Sequence, residues 1–343
     1  MKKILKKPIL AYSIIFFIVF LIAIIPHQIR SGTIFSFGLF TDSFKQHLIF
    51  LRDFTNHIRN IPNGVPLQIF RYDLGLGGDF FTSFAFYSLF DPLTIIAYIL
   101  PRELIAEAFY IIGIIRLYLT GLVMLFCLKR FKITTPLTLI VVSLFYVFNV
   151  TVLFSSFRHP MFVNGPLFFP LIIIGIDKVF NKENPALLIS ASFLALITQF
   201  YFFMFACIGF ELVVIIRLCL QRKEKKVINL LKNFILINFF YLLGALVGSF
   251  VLFPQFFASI NSGRIIIKKL VFYDSLDYAT YFSSFFIPIV GKHYTSLIGN
   301  IVVFFIVVAY VFLKPKKWES ILFIVLSIMI FIPIVGYSFN LFT

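Results

Sequence analysis

Long, nearly uncharged apolar runs govern what this chain can become. Runs at 9–26, 104–128, 135–157, 160–176, 228–254, 297–313 and 319–336 each approach the length needed to cross a bilayer. About 20 apolar residues suffice for that, and roughly 17 to 25 are tolerated. A further run, 186–219, is too long for one span and short for two with a polar loop between them. The runs do not alternate, which excludes a β-barrel. Apolar residues make up 61% of the 343 and charged residues 13%, against roughly half and a quarter in soluble domains. Those proportions exclude a cytosolic enzyme, a secreted disulfide scaffold and a disordered protein. The sequence predicts an all-α polytopic membrane protein whose solvent is the lipid bilayer.

The formal charge of +16 arises from 30 Lys and Arg against 14 Asp and Glu. No zinc-finger, basic-helix or RNA-binding signature accompanies it, so nucleic acid is not the partner. The cations cluster between apolar runs, as cytoplasmic loops require. Lys2, Lys3, Lys6 and Lys7 put the N-terminus inside, ahead of an uncleaved first span. Lys129, Arg130 and Lys132 are inside, Arg158 and His159 outside, and Lys178 and Lys182 inside again. The cluster 222–226 must also be inside, so 186–219 crosses twice with a break near Gln199. Lys314, Lys316 and Lys317 are inside as well. The expected architecture is about nine transmembrane helices in a single membrane domain, 1–343, with outer loops at 27–103 and 255–296.

Within the first loop, 80–101 is apolar but interrupted by Asp91-Pro92. A span there would invert every downstream cluster. Because Pro92 ends or kinks a helix and disfavours helical geometry at Asp91, it is expected as an interfacial helix or a re-entrant hairpin. All five histidines, at 27, 47, 57, 159 and 293, then fall outside. The cytoplasmic loops carry neither a P-loop nor a dinucleotide fingerprint. Cys127, Cys207 and Cys219 lie inside apolar runs without CxxC spacing and read as buried small hydrophobes. No organic cofactor is called for, no protein metal site is assigned, and a divalent cation is left open.

At 77 residues or so the first loop is too long for a connector. From Thr41-Asp42-Ser43-Phe44-Lys45-Gln46-His47 to His57, apolar residues at 44, 48, 51, 54 and 58 predict an amphipathic helix at the membrane surface. Asp42 stands at its start, where a carboxylate serves either as a helix cap or as a functional acid. Farther on, Arg71-Tyr72-Asp73-Leu74-Gly75-Leu76-Gly77-Gly78-Asp79 predicts a flexible turn, suited to close approach of a ligand or simply to a change of direction. Glu107 and Arg116, about 2.5 turns apart in the second span, do not pair with each other. Arg116 and Glu211 either pair with other helices or touch a substrate. Arg217 is expected to snorkel to the inner surface. Arg264, Lys268 and Lys269 place positive charge on the second outer loop, either for an anionic partner or as a solvated surface.

In this order, several short stretches resemble the YfhO family of bacterial membrane proteins, which belong with the GT-C-type glycosyltransferases. They are Thr41 to His47, Leu74 to Asp79, Tyr87-Ser88-Leu89-Phe90-Asp91-Pro92, Phe157-Arg158-His159-Pro160-Met161-Phe162, Phe169 to Ile172, Gly175 to Lys178, and Gln199 to Phe202. Where members have tyrosine after the glutamine of the first motif, this chain has His47. The resemblance implies a GT-C-like fold in the bacterial cell membrane. It also implies sugar transfer on the outer face from a polyprenyl-phosphate-linked sugar to an anionic envelope polymer such as teichoic acid. An acceptor hydroxyl needs a carboxylate base, and a departing phosphate needs positive or hydrogen-bonding stabilisation. Asp42 is the candidate base and Asp79 a second acid. Arg71, Arg158 and His159 are candidate phosphate contacts, and Gln46 and His47 candidate substrate contacts. The family further implies that the chain is an N-terminal portion, continuing after Thr343 into another outer segment. The competing classes are a transporter or flippase of a lipid-linked precursor, working through mid-membrane charges, and a scaffold without chemistry.

Overall fold

In lipid, backbone polar groups must be satisfied within the segment itself, and this chain answers with helices almost throughout. The computed structural model describes residues 7–31, 42–66, 69–73, 77–85, 87, 89–221 and 227–261. In chain order these form α1 (Pro8–Ser31), α2 (Leu48–Asn60), α3 (Phe80–Ala85), α4 (Ile95–Ile99), α5 (Ile105–Arg130) and α6 (Pro136–Val147). There follow α7 (Val150–Arg158), α8 (Asn164–Phe180), α9 (Ala186–Thr198), α10 (Phe200–Gln221), α11 (Val227–Val247) and α12 (Ser249–Asn261). The expected spans 297–313 and 319–336, the basic clusters 222–226 and 314–317, and the loop residues 262–296 lie outside the described residues. Residues 1–148 and 152–258 make one compact unit; the other, 149–151 with 259–343, falls almost wholly outside them.

Among the described residues, Arg102–Arg130, Pro160–Phe180 and Val227–Val247 are long and apolar enough to cross a membrane. Pro8–Ala23, Pro136–Val147, Ala186–Thr198 and Ser249–Ile260 are shorter apolar helices. Two expected single spans are interrupted. The run 135–157 breaks at Phe148-Asn149, between α6 and α7. The run 228–254 breaks at Gly248, and α12 then carries on to Asn261 with Pro254 inside it. Both breaks sit within apolar stretches, where hydropathy gives no warning. The run 186–219 divides at Gln199, whose backbone is extended (φ −162°, ψ 92°). Segment 80–101 is not one continuous helix. It splits into α3, a 3-10 turn at Pro92–Thr94 and α4, with Asp91 extended before the proline and its side chain accepting Leu93 N–H at 2.9 Å. One two-residue antiparallel ladder, Phe70–Arg71 with Gly78–Asp79, departs from a purely helical fold.

Leu167, Ile172, Ile176, Leu188, Leu196, Phe210 and Tyr241 form the core shared by α8, α9, α10 and α11. The backbones of α9 and α11 touch, because a Cβ on Gly244 would lie 2.3 Å from the Ile189 carbonyl oxygen; small residues permit such approach. On the other flank, Tyr12 and Phe16 of α1 pack with Leu117, Leu125, Leu139 and Ile140 of α5 and α6. Described residues between α1 and α5 share a third core. Leu51, Phe54, Phe80, Phe84 and Ala97 pack against Ile105, Ala108 and Ile112, the early turns of α5. Arg59 secures α4 by donating to the carbonyls of Ala97, Tyr98 and Leu100, as a cation at a helix C-terminus should.

Arginines mark two levels. Arg116 of α5 donates to the Pro160 carbonyl at 3.0 Å, just where α8 is about to start. At the far end of the same helices, Arg130 Nε meets Asp177 Oδ2 at 2.7 Å. Those levels are about 21 Å apart at about 1.5 Å per residue along α5. Arg217 of α10 returns to Asp177, so α9 and α10 run out and back with Gln199 at the turn.

Candidate functional site

Asp42 opens a π-turn, Ser43–His47, closed by Leu48 N–H to the Ser43 carbonyl. Such wide turns are frequent at functional sites. The Asp42 side chain makes no cap bond, so the carboxylate is spared for contacts elsewhere. Its Oδ2 accepts Arg158 Nε at 3.1 Å and lies 3.5 Å from His159 Nε2. His159 Nδ1 in turn lies 2.8 Å from His47 Nε2. The two imidazoles meet edge to face with centroids 5.1 Å apart, and His159 stacks on Phe162 at 4.7 Å. Gln46 donates to the Tyr87 hydroxyl at 2.9 Å. Five of the expected residues, Asp42, Gln46, His47, Arg158 and His159, thus gather from two distant stretches of chain.

Burial and charge set the protonation states. Burial alone would raise the Asp42 carboxyl, but the Arg158 hydrogen bond and the neighbouring His159, Arg158 and His47 outweigh it and hold it below the usual carboxylate range. Burial pushes His47 down to about 3, aided by His159 and opposed by Asp42. Burial also lowers His159, with Asp42 opposing and Arg158 assisting. At neutral pH the cluster is an ionised carboxylate, a guanidinium and two neutral imidazoles. One tautomer fits: His159 turns its Nε2–H to Asp42, so its Nδ1 accepts from His47 Nε2–H. The other tautomer would face a lone pair toward the carboxylate.

Beside the cluster lies a half-open cleft of about 30 Å³ lined by His47, Leu51, Phe54, Tyr87, Arg116 and Met161, among others. Arg116, expected to pair with another helix or a substrate, pairs with Asp91 at 2.7 Å. Asn164 also donates to Asp91 Oδ2, at 2.8 Å. Arg116, Asp91 and Asn164 are all buried. This layer ties the 91–94 turn to α5 and α8. Sequence reasoning did not link these three; Asn164, a polar residue opening an apolar helix, was the available signal. His47 Nδ1, Arg116 Nε and Asn164 Oδ1 are buried without a partner among the described residues, and leaving such a group unpaired costs about 1–3 kcal/mol.

Arg71 and Asp79 form a different group. Arg71 is engaged by Asp53, at 2.7 and 3.2 Å, and by Asp73, and packs 6.0 Å from the Phe80 ring centroid. Asp79 Oδ1 accepts Thr82 N–H at 2.6 Å and so caps α3. The glycine turn supplies Gly77 at φ 109°, and a Cβ there would meet the Phe70 ring at 2.8 Å. Leu74, Gly75 and Leu76 lie outside the described residues. Among the described residues no three His, Cys, Asp or Glu side chains gather to hold a metal ion.

No curated protein and no solved structure matches this chain. A family described as "Bacterial membrane protein YfhO" matches residues 9–342. With that match spanning nearly its whole length, the chain belongs to the YfhO family of bacterial membrane proteins.

Proposed function

We propose that this chain is a GT-C-like membrane glycosyltransferase, moving a sugar from a polyprenyl-phosphate donor to an envelope polymer such as teichoic acid. The reaction occurs on the outer face of a domain of about nine spans, with a cytoplasmic N-terminus and outer loops at 27–103 and 255–296. Asp42 takes the proton of the acceptor hydroxyl, whose oxygen forms the bond to the anomeric carbon. The bond from that carbon to the phosphate oxygen breaks, and polyprenyl phosphate leaves with the electron pair beside Arg158 and His159. A polyprenyl donor reaches such a site laterally, which suits a wall of apolar helices.

The observation that carries this reading is the Asp42 carboxylate, which caps nothing and is held ionised against Arg158 and His159. A flippase would put working charges at mid-bilayer, whereas Arg116 lies level with the start of α8 and is neutralised by Asp91. Envelope-polymer analysis with and without the gene identifies the sugar. Transfer of that labelled sugar by purified Asp42→Asn protein then tests the base, and wild-type rates from this variant would overturn it. Cysteines at His57 and His293 should label from outside and one at Lys225 should not.

A further inference from the structure

Asp42, His159 and His47 stand in a row whose hydrogens run one way. His47 Nε2 lies 2.8 Å from His159 Nδ1, a hydrogen-bond spacing that places one hydrogen between the two nitrogens. Burial lowers both imidazoles and keeps them neutral at neutral pH. Each ring therefore carries a single N–H, and placing one fixes the other. Packing holds the rings where they are, His47 against Tyr87 and His159 stacked on Phe162. Both ends of the row select the same direction. At one end His159 Nε2 faces Asp42 Oδ2 at 3.5 Å, where a carboxylate favours an N–H and repels a lone pair. At the other end His47 Nδ1 is buried and has no partner among the described residues. A hydrogen moved there would be a donor with nothing to receive it, which buried groups rarely tolerate. The row thus runs from His47 Nε2–H to His159 Nδ1, and from His159 Nε2–H toward Asp42.

That direction decides which oxygen of Asp42 can act. A carboxylate oxygen offers about two lone-pair sites, and Oδ2 has Arg158 Nε at 3.1 Å and His159 Nε2 at 3.5 Å. Oδ1 is free of both, on a side chain that is 42% exposed. With its Nε2 already bearing hydrogen, His159 neither relieves Asp42 of a proton nor competes with it for one. We propose that His47 is a positioning residue for Asp42: it holds His159 as the Nε2–H tautomer, which keeps Oδ2 occupied and leaves Oδ1 to take the proton of the acceptor hydroxyl. In that step the hydroxyl O–H bond breaks, its electron pair stays on the oxygen that bonds to the anomeric carbon, and an O–H bond forms at Oδ1. His159 and His47 neither gain nor lose a proton. The proposal rests on the sugar-transfer reading and gives His47, expected from the sequence as a substrate contact, a different part in it.

The test uses full-length protein in nanodiscs with isotopically labelled histidine, and reads the ring nitrogens by solid-state NMR, where protonated and bare nitrogens resonate far apart. The His159 signals are those lost in His159→Gln. Wild type should show His159 bare at Nδ1 and protonated at Nε2. His47→Phe keeps a ring but has no donor, and should let the Nδ1–H form of His159 appear. His47→Gln places an amide N–H near the former Nε2 and should restore the single tautomer. In transfer assays per folded molecule, His47→Phe should lower kcat about tenfold, the effect of about one hydrogen bond, with KM unchanged for donor and polymer. His47→Gln should recover most of that loss. A raised KM in His47→Phe with the His159 tautomer unmoved would make His47 a substrate contact and overturn the proposal. So would a wild-type His159 protonated at Nδ1, or equal kcat in wild type and both His47 variants. If the tautomers behave as expected but wild type transfers no sugar, the sugar-transfer reading fails and the hold of His47 on His159 stands.

Discussion

At the Arg130 end of the bundle, Asp177 has both carboxylate oxygens in use. Arg130 and Asn181 donate to Oδ2 and Arg217 to Oδ1, while Glu183 takes up the rest of Arg130. At the Asp42 end the same residue types are left half-committed. Asp42 meets Arg158 and His159 through one oxygen and is 42% exposed, and among the described residues His47 keeps its buried Nδ1 unpaired, as Arg116 Nε and Asn164 Oδ1 do in the adjoining layer. In the first cluster Arg217 Nε is in that position among the described residues. What separates the two is the carboxylate: Asp177 has both oxygens engaged between helices, whereas Asp42 keeps one free of its neighbours in the cluster.

Removing the acid at each end should therefore give opposite signatures. Asp42→Asn should cut sugar transfer by about 10²–10⁴-fold, the usual contribution of a positioned base, with folded protein near wild-type level. Asp177→Asn leaves two guanidiniums short of a carboxylate and should lower the thermal midpoint in detergent, with transfer per folded molecule unchanged. If both variants lose stability and neither loses turnover, the two ends are alike and Asp42 is structural.

The buried layer between them sharpens the contrast. Asp91→Ala strands Arg116 as an uncompensated buried charge and should cost about 3–5 kcal/mol, whereas replacing both partners with well-packed apolar residues, Asp91→Leu with Arg116→Met, should recover much of it. Thermal unfolding of the single and double variants reads the difference. A double variant as unstable as the single one would mean that this pair itself is required by the fold.

Protonation offers a smaller effect with a definite sign. Asp42 is held below the ordinary carboxylate range, so its base form persists through neutral pH and is lost only as pH falls through that lowered value. Arg158→Gln removes its main hydrogen-bonding partner and lets burial prevail, so the acid limb of the transfer rate should move up. His47 works in the opposite sense for a base. Its folded value of about 3 lies below the unfolded 6.5 or so, so its neutral form supports the fold fully above that value and the support declines as pH falls. His47→Phe should flatten the loss of thermal stability between about pH 6.5 and 4. An unmoved limb in the first variant, or an unchanged slope in the second, would contradict these placements.

Much of the fold was legible in the order of apolar runs and charges. The apolar runs and the interruption at Asp91-Pro92 follow from local composition, and the break near Gln199 from the alternation of basic clusters along the chain. The breaks at Asn149 and Gly248 were not, because one polar or small residue inside an apolar run barely alters hydropathy. The motifs named Asp42, His47, Arg158 and His159, but no spacing says that residues more than a hundred positions apart will touch. Nor could the sequence decide whether Asp42 caps its helix, since that depends on a π-turn. Asp91, Arg116 and Asn164 each carried a local signal, yet their union is tertiary.

Asp79 closes the contrast with the smallest expected effect. The sequence offered it as a second acid alongside Asp42, and the two now differ in one observable respect: Asp79 accepts Thr82 N–H and caps α3, and Asp42 caps nothing. Asn caps about as well as Asp, and loss of a cap costs about 0.5–2 kcal/mol. Asp79→Asn should thus match wild type in both stability and transfer, while Asp79→Ala should lower stability by that modest amount and leave turnover per folded molecule intact. The same Asn substitution is predicted to be harmless at 79 and severe at 42, so assaying the two side by side separates cap from base. Should Asp79→Asn lose transfer a hundredfold at normal stability, the carboxylate charge at 79 is part of the chemistry and the site extends to the glycine turn.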